Sequence, residues 1–296
     1  FSVIIEPRRN KTGLIKAHCA NPGRLQELLT PGAEVILEKS PGAQRKTAWT
    51  LAAVLFHGKI VPLISVRANR IAESLVLPAL FPEAVSLRPE YSIGHSRFDF
   101  KAELPDNRRA LIEVKSCTLS AEGRAMFPDA PTERGLRHIQ YLAEIAESNP
   151  ETEGHVIFML HHPDTLLFTP NIHTDQEFSL ALWRLSRCLH LHAVSLHCDI
   201  DGMCRIARPD IPFDFDPVRF AKEDRGAYML LLFLKESAVI KVGALGEVAF
   251  DPGYYVYAGS AKAHLKSRVS RHLRKKSKRF HWHIDYLQTY AAEAKA

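Results

Sequence analysis

The sequence has no run approaching the roughly 20 uninterrupted apolar residues that a membrane-spanning helix needs, and its first residues lack the basic-then-apolar order of a secretory leader. These absences predict a soluble chain that stays in the cytoplasm, with no membrane partner. Phe1 in place of Met and an uncapped last turn over 291–296 predict that both ends are cut. Cysteine is sparse and odd in number, at Cys19, Cys117, Cys188, Cys198 and Cys204, in a chain of 296 residues that can bury its cores without cross-links. The five are expected as reduced thiols. No CxxC or HxxxH spacing occurs, so Cys188, His190, His192, His197, Cys198 and Cys204 are read as a strand and hairpin rather than a structural zinc site. His281, His283 and Asp285 are read in the same way, as the start of a helix. There is no internal repeat, and nothing in the sequence fixes an oligomeric state.

Acidic residues are missing from the whole stretch between Pro252 and Ile284. Residues 216–296 carry 15 Lys/Arg against 8 Asp/Glu, whereas the other 215 carry 24 against 25, so the formal charge of +6 sits at the C-terminal end. A basic tail on a near-neutral body predicts a polyanionic partner, met mainly by that tail.

Residues 1–66 consist of short apolar runs, such as Val3-Ile4-Ile5, Val35-Ile36-Leu37 and Ile60-Val61, separated by Gly/Pro turns. They predict a small OB-like β-barrel with a brief helical insert over Arg24–Leu29. Residues 67–215 predict a mixed α/β domain that opens with a helix over Asn69–Leu77, ended by Pro78 and Pro82. Further on come a helix over Thr132–Glu147 and a hairpin about Asp201-Gly202. The Pro/Asp-rich segment 210–217 separates this domain from a third, basic one at 216–296.

The chemistry is concentrated in Arg97-Phe-Asp99-Phe100 and Ile112-Glu113-Val114-Lys115, which flank the turn sequence Leu-Pro-Asp-Asn. A hairpin centred on Asp106 pairs Phe98 with Val114 and Phe100 with Ile112 on an apolar face. It pairs Asp99 with Glu113 and Arg97 with Lys115 on the other. Two carboxylates about 5 Å apart need a raised pKa on one or a cation between them. Two hard oxygen ligands suit Mg²⁺ (or Mn²⁺), and Lys115 on the same side can align the attacking water of a phosphodiester hydrolysis. The alternative is a solvated face on which Arg97 and Lys115 only neutralise the acids. On the following helix, capped by Thr132, Arg134, His138 and Tyr141 share one stripe that can meet a substrate phosphate or lie idle at the surface.

His18-Cys19-Ala-Asn21-Pro-Gly23, Arg97-Phe98-Asp99-Phe100, Glu113-Val114-Lys115 and Phe127-Pro128-Asp129-Ala130 followed by Thr132-Glu133-Arg134-Gly135 resemble, in the same order, the sugar fermentation stimulation protein A (SfsA) family. The likeness spans residues 1 to about 210. It implies non-specific DNA-binding proteins, proposed as regulators of sugar (maltose) metabolism, with an OB-like N-terminal domain and a PD-(D/E)XK nuclease-like domain. Carried over, Asp99, Glu113 and Lys115 match the nuclease signature, with Glu73 as an additional metal-binding acid. The competing implication is a DNA-binding regulator whose nuclease fold is vestigial.

Lys262, Lys266, Arg268, Arg271, Arg274, Lys275, Lys276, Lys278 and Arg279 form the acid-free basic run. It predicts salt-dependent, sequence-tolerant binding of DNA or RNA, with Arg268 to Arg279 as the contact residues. The flanking Tyr254, Tyr255, Tyr257, Phe280, Trp282 and Tyr286 either stack bases or form a core. Gly226-Ala-Tyr228, Tyr257-Ala-Gly259 and Leu265 to His272 resemble a GIY-YIG-like domain. That resemblance implies roles for Tyr228, Tyr257 and Arg268, although the metal-binding Glu of such domains has no evident counterpart before the chain ends. A basic docking module is therefore the reading kept for 216–296.

Overall fold

Short apolar runs punctuated by turn residues become strands from the start of the chain. The computed structural model describes residues 2–5, 14–40, 47–222, 224–274, 280 and 282–296. The chain divides into two units, 1–217 and 218–296. In the first, β1 (Ser2–Ile5), β2 (Ile15–His18), β3 (Glu34–Lys39), β4 (Trp49–Phe56) and β5 (Lys59–Pro62) enclose Leu51, Val54, Val61 and Leu63. The expected helix over Arg24–Leu29 is instead a single turn, closed by the Leu29 N–H on the Leu25 carbonyl at 2.9 Å. Leu25 takes φ 51°, a left-handed conformation that ends helical propagation, and the turn drives Leu25 and Leu28 into the core.

The first helix also departs from expectation. It runs as α1 (Arg67–Ile71), a π-helical turn over Ala72–Val76, then α2 (Leu77–Leu80), and so passes through Pro78. Proline lacks an N–H to give to the preceding turn; here Pro78 sits in the first turn of α2, where that donor is not needed.

The central sheet follows, formed by β6 (Ser86–Ile93), β7 (Ser96–Glu103), β8 (Arg109–Cys117), β11 (Thr152–Leu160) and β13 (His190–Cys198). Between these lie β9 (Ser120–Ala121), β10 (Arg124–Phe127), α3 (Glu133–Ser148), β12 (Leu167–Pro170) and α4 (Gln176–Leu185). β8, β11 and β13 run parallel, as strands linked by helices do, while β7 and β6 extend the edge antiparallel. One face packs on α3 and α4 through Leu111, Ile139, Leu142, Phe158 and Phe178. The other packs on α1, the π turn and α2 through Ala72, Val76, Phe100, Ile112 and Ile157.

A single bridge, Cys198 to Ile60, joins β13 to β5, so the barrel strands and the central strands lie on one hydrogen-bonded path. β14 (Cys204–Arg208) completes the expected hairpin about Asp201-Gly202. Cys198 and Cys204 oppose one another in that hairpin, 4.1 Å apart at Cα, and form a disulfide; these two are not the reduced thiols expected from the sequence.

A helix, α5 (Asp216–Lys222), spans the boundary. In the second unit β15 (Gly226–Leu234) lies between β18 (Gly253–Ala261) and β19 (Glu293–Lys295), all antiparallel, with a separate hairpin of β16 (Ala238–Lys241) and β17 (Glu247–Phe250). Residues read as a last turn thus belong partly to a strand. Leu230, Leu232, Leu234, Ile284 of α7 (His283–Tyr290) and Val269 of α6 (Leu265–Leu273) make its core. Among the described residues no helix is long and apolar enough to cross a membrane.

Candidate functional site

Asp106 and Asn107 both take φ 59°, turning β7 into β8 where the sequence placed the turn. The register is the expected one, with Phe100 opposite Ile112 and Ala102 opposite Ala110. It does not continue to Phe98 and Val114. Opposite Asp99, Glu90 of β6 adopts φ 52°, and the ladder skips that pair. The Asp99 carboxylate takes the Val114 N–H at 2.7 Å in place of a strand carbonyl.

The consequence is a change of face. Phe98, with Tyr91 and Ile93, packs on the α3 side, whereas Phe100 and Leu87 pack on the α1 side. Phe98 and Phe100 therefore do not share one apolar face, and the paired arrangement of Arg97 with Lys115 is not formed. Asp99 and Glu113 instead stand where the two strands part. Asp99 Oδ1 accepts from Asn69 Nδ2 of α1 at 2.7 Å. Glu113 Oε1 accepts from Lys115 Nζ at 2.6 Å and lies 2.9 Å from His138 Nδ1 of α3.

The two acids are electrostatically distinct. Burial raises the Asp99 pKa and the nearby charge of Glu113 raises it further, more than the Val114 and Asn69 donors and the Lys115 charge lower it. For Glu113, burial also acts upward, but the Lys115 ammonium and the His138 contact outweigh it and hold the carboxyl below its usual range. Glu113 is only 4% exposed, and its second oxygen, Oε2, is buried without a hydrogen-bond partner.

Beside these acids opens a cleft of about 290 Å³, walled by residues 21–23, Asn69, Val114 to Ser116 and 127–132. Its shape depends on Gly23. A Cβ there would fall 2.1 Å from Asp129 Oδ2, so only glycine lets the Asn21-Pro22-Gly23 turn close on the loop after β10. Asn21 Oδ1 pins that turn by accepting the Gly23 N–H at 2.8 Å. At the cleft floor Ser116 Oγ meets His161 Nε2 at 2.8 Å, and burial pulls the His161 pKa down to about 4.

The other expected residues are scattered. His138 holds Glu113 and so occupies a positioning place in addition to its place on the stripe. Arg134 is exposed on the first turn of α3. Arg97 pairs with Glu90 at 3.4 Å on the surface. Glu73 is exposed, and the side chain of that helix that reaches Asp99 is Asn69, three residues before the start of the π turn. Asn69, Ser116 and His161 were not anticipated; their partners come from elements distant in sequence.

In the second unit, Tyr228 and Tyr257 lie side by side with ring centres 6.3 Å apart, and Tyr228 lies against Gly259. Tyr228 Oη meets His272 Nε2 at 2.9 Å, and His272 Nδ1 meets Asp285, which is fully buried, at 3.2 Å. Arg271 also bonds Asp285, and Arg268 donates to the Ser260 carbonyl beside the Trp282 ring. Arg274 is exposed, and Lys275, Lys276, Lys278 and Arg279 lie outside the described residues.

Comparison with known proteins adds to this picture. Residues 1–63 match the family model described as SfsA N-terminal OB domain, and 66–202 match Sugar fermentation stimulation protein RE domain. Residues 227–295 match Domain of unknown function DUF123. A sugar fermentation stimulation protein homolog of Natranaerobius thermophilus is 42% identical over 171 residues, covering 56% of this chain and 70% of that protein. One from Clostridium kluyveri is 33% identical over 200 residues, covering 67% and 86%. Among solved structures, Pyrococcus furiosus SfsA in complex with Ca²⁺ superposes with a TM-score of 0.62 at 25% identity, over 72% of this chain and 94% of that one.

Proposed function

The chain belongs to the sugar fermentation stimulation protein family, and from that membership and the cleft we propose that it binds nucleic acid and hydrolyses phosphodiester bonds with Mg²⁺ or Mn²⁺. The observation that carries the reading is Glu113 Oε2, a buried and unpartnered carboxylate oxygen next to a second, half-buried acid, Asp99. An orphaned buried anion is costly unless a cation completes its shell. Asp99 and Glu113 would hold the ion, and both fit a hard cation that takes carboxylate oxygens and keeps water in its remaining positions. The related Pyrococcus protein was solved with Ca²⁺, another ion of that preference. When bound, the ion would supply Lewis-acid stabilisation of charge on the scissile phosphate.

The protein's own groups do the rest. Lys115, 12% exposed and held by Glu113, is placed to orient a water on the cleft side. His138 keeps Glu113 in one rotamer. Arg134, exposed at the start of α3, meets a phosphate near the helix N-terminus, where backbone N–H groups favour anions. The OB-type barrel and the basic second unit add sequence-tolerant grip on the strand.

A second reading is favoured by one feature: Glu113 Oε1 is already engaged by Lys115 and His138, as in a binding protein with a vestigial site. A cleavage assay on DNA and RNA in Mg²⁺ or Mn²⁺ separates the two. Catalysis predicts that Asp99→Asn and Glu113→Gln each lose about 10²-fold or more in rate while keeping affinity for the nucleic acid. Cleavage unchanged by both substitutions rejects the catalytic reading and leaves the binding one.

A further inference from the structure

On the opposite face of the sheet from Glu113, at the N-terminal ends of the parallel strands, a second set of donors converges. Two short patterns produce it: Glu153-x-His155 on β11 and His190-x-His192 on β13. Alternation puts each pair on one face, and the parallel register sets His155 directly beside His190. That face is the α2 side, where Phe81 packs edge-on against His155 at 4.9 Å. One ligand atom each from Glu153, His155 and His190 lies within 4.8 Å of the others. From these placements we infer that Glu153, His155 and His190 form a binding site for a borderline divalent cation of the zinc class, separate from the acids of the cleft.

Each ligand is held in the manner such a site needs. Arg108 Nη1 donates to Glu153 Oε1 at 2.7 Å, so the carboxylate presents its other oxygen, which lies 3.2 Å from His155 Nε2. His155 Nδ1 is 3.0 Å from His192 Nε2, a contact that fixes which ring nitrogen of His155 faces the ligand set. His155 is buried, Glu153 half-buried and His190 exposed, so three protein ligands surround a fourth position open to solvent. Imidazole with one carboxylate is the donor set of zinc-class ions rather than of Mg²⁺ or Ca²⁺. Bonds of about 2.0–2.1 Å require the ligand atoms to close by roughly 1 Å, a movement that the exposed His190 side chain can supply. The absence of CxxC or HxxxH spacing concealed the site, because its ligands are shared between two strands 35 residues apart in register.

The test is titration of the chelator-treated full chain with Zn²⁺ by calorimetry, and with Co²⁺ by its visible absorption. Wild type, Asp99→Asn and Glu113→Gln should each take up one equivalent here, with the strong Co²⁺ bands of four-coordinate geometry. His190→Ala and Glu153→Gln, at exposed or half-exposed positions, should lose that equivalent or weaken it at least 10-fold, with unchanged circular dichroism. Zn²⁺ uptake that is equal in His190→Ala and wild type overturns the inference. So does uptake abolished by Asp99→Asn but not by His190→Ala, which assigns the ion to the cleft. A six-coordinate Co²⁺ spectrum insensitive to both His190→Ala and Glu153→Gln overturns it as well.

Discussion

Asp99 is held where an ionised carboxylate is least favoured, between burial and the charge of Glu113. Its folded-state pKa lies above the unfolded value, so its contribution to stability is complete at low pH. That contribution is lost as pH rises through the folded-state pKa. Asp99→Asn keeps the shape and an acceptor for the Val114 N–H but cannot ionise. Its melting temperature, relative to wild type, should therefore climb as pH rises above the ordinary Asp pKa of about 4. Thermal melts across that range check it; a difference that is flat, or that falls with pH, contradicts the assignment. On the proposed reading, such a residue destabilises the fold for the sake of the site, as strained functional groups commonly do.

At the scale of elements, the cleft depends on two segments that touch only because one of them has no side chain. Gly23→Ala forces Asp129 out of a pocket in which its carboxylate accepts from the Arg24 and Leu25 backbone. The expected cost is about 1–3 kcal/mol in denaturant unfolding, together with weaker nucleic-acid binding; wild-type stability would mean that the turn and loop do not pack this closely.

The same elements mark what could be read from sequence. The turn at Asp106-Asn107, the 100–103 and 109–112 register, and helix α3 with its Thr132 cap were legible, because period and turn chemistry are local properties. The face change at Asp99 was not: it depends on Glu90, a residue of another strand in a conformation that no pattern announces. Nor was the Asn69 contact, since the π turn that follows it alters the helical phase assumed for Glu73.

Over the whole molecule, charge is divided between a near-neutral unit and a basic one, yet the basic residues are not equivalent. Arg271 is committed to Asp285, and Arg268 to the Ser260 carbonyl. On the proposed reading, contact with a phosphate backbone falls to Arg274, which is exposed, and, from the sequence, to the run Lys275, Lys276, Lys278 and Arg279. Replacing those four by Gln should weaken binding alike on all sequences. It should also flatten the dependence of log K on log salt by about 3–4 on duplex DNA, since each neutralised phosphate contributes about 0.9. Unchanged salt dependence would move the binding surface to the first unit.

The cleft described above draws its walls from four stretches of chain lying far apart, near residues 22, 69, 115 and 130. No fragment that ends before the last of them can contain the whole of it. On the proposed reading, function is thus an all-or-nothing readout of long-range assembly. Any lesion that lets the barrel strands drift from the central ones, even one remote from every acid named here, should silence the site at the moment the fold loosens rather than by degrees.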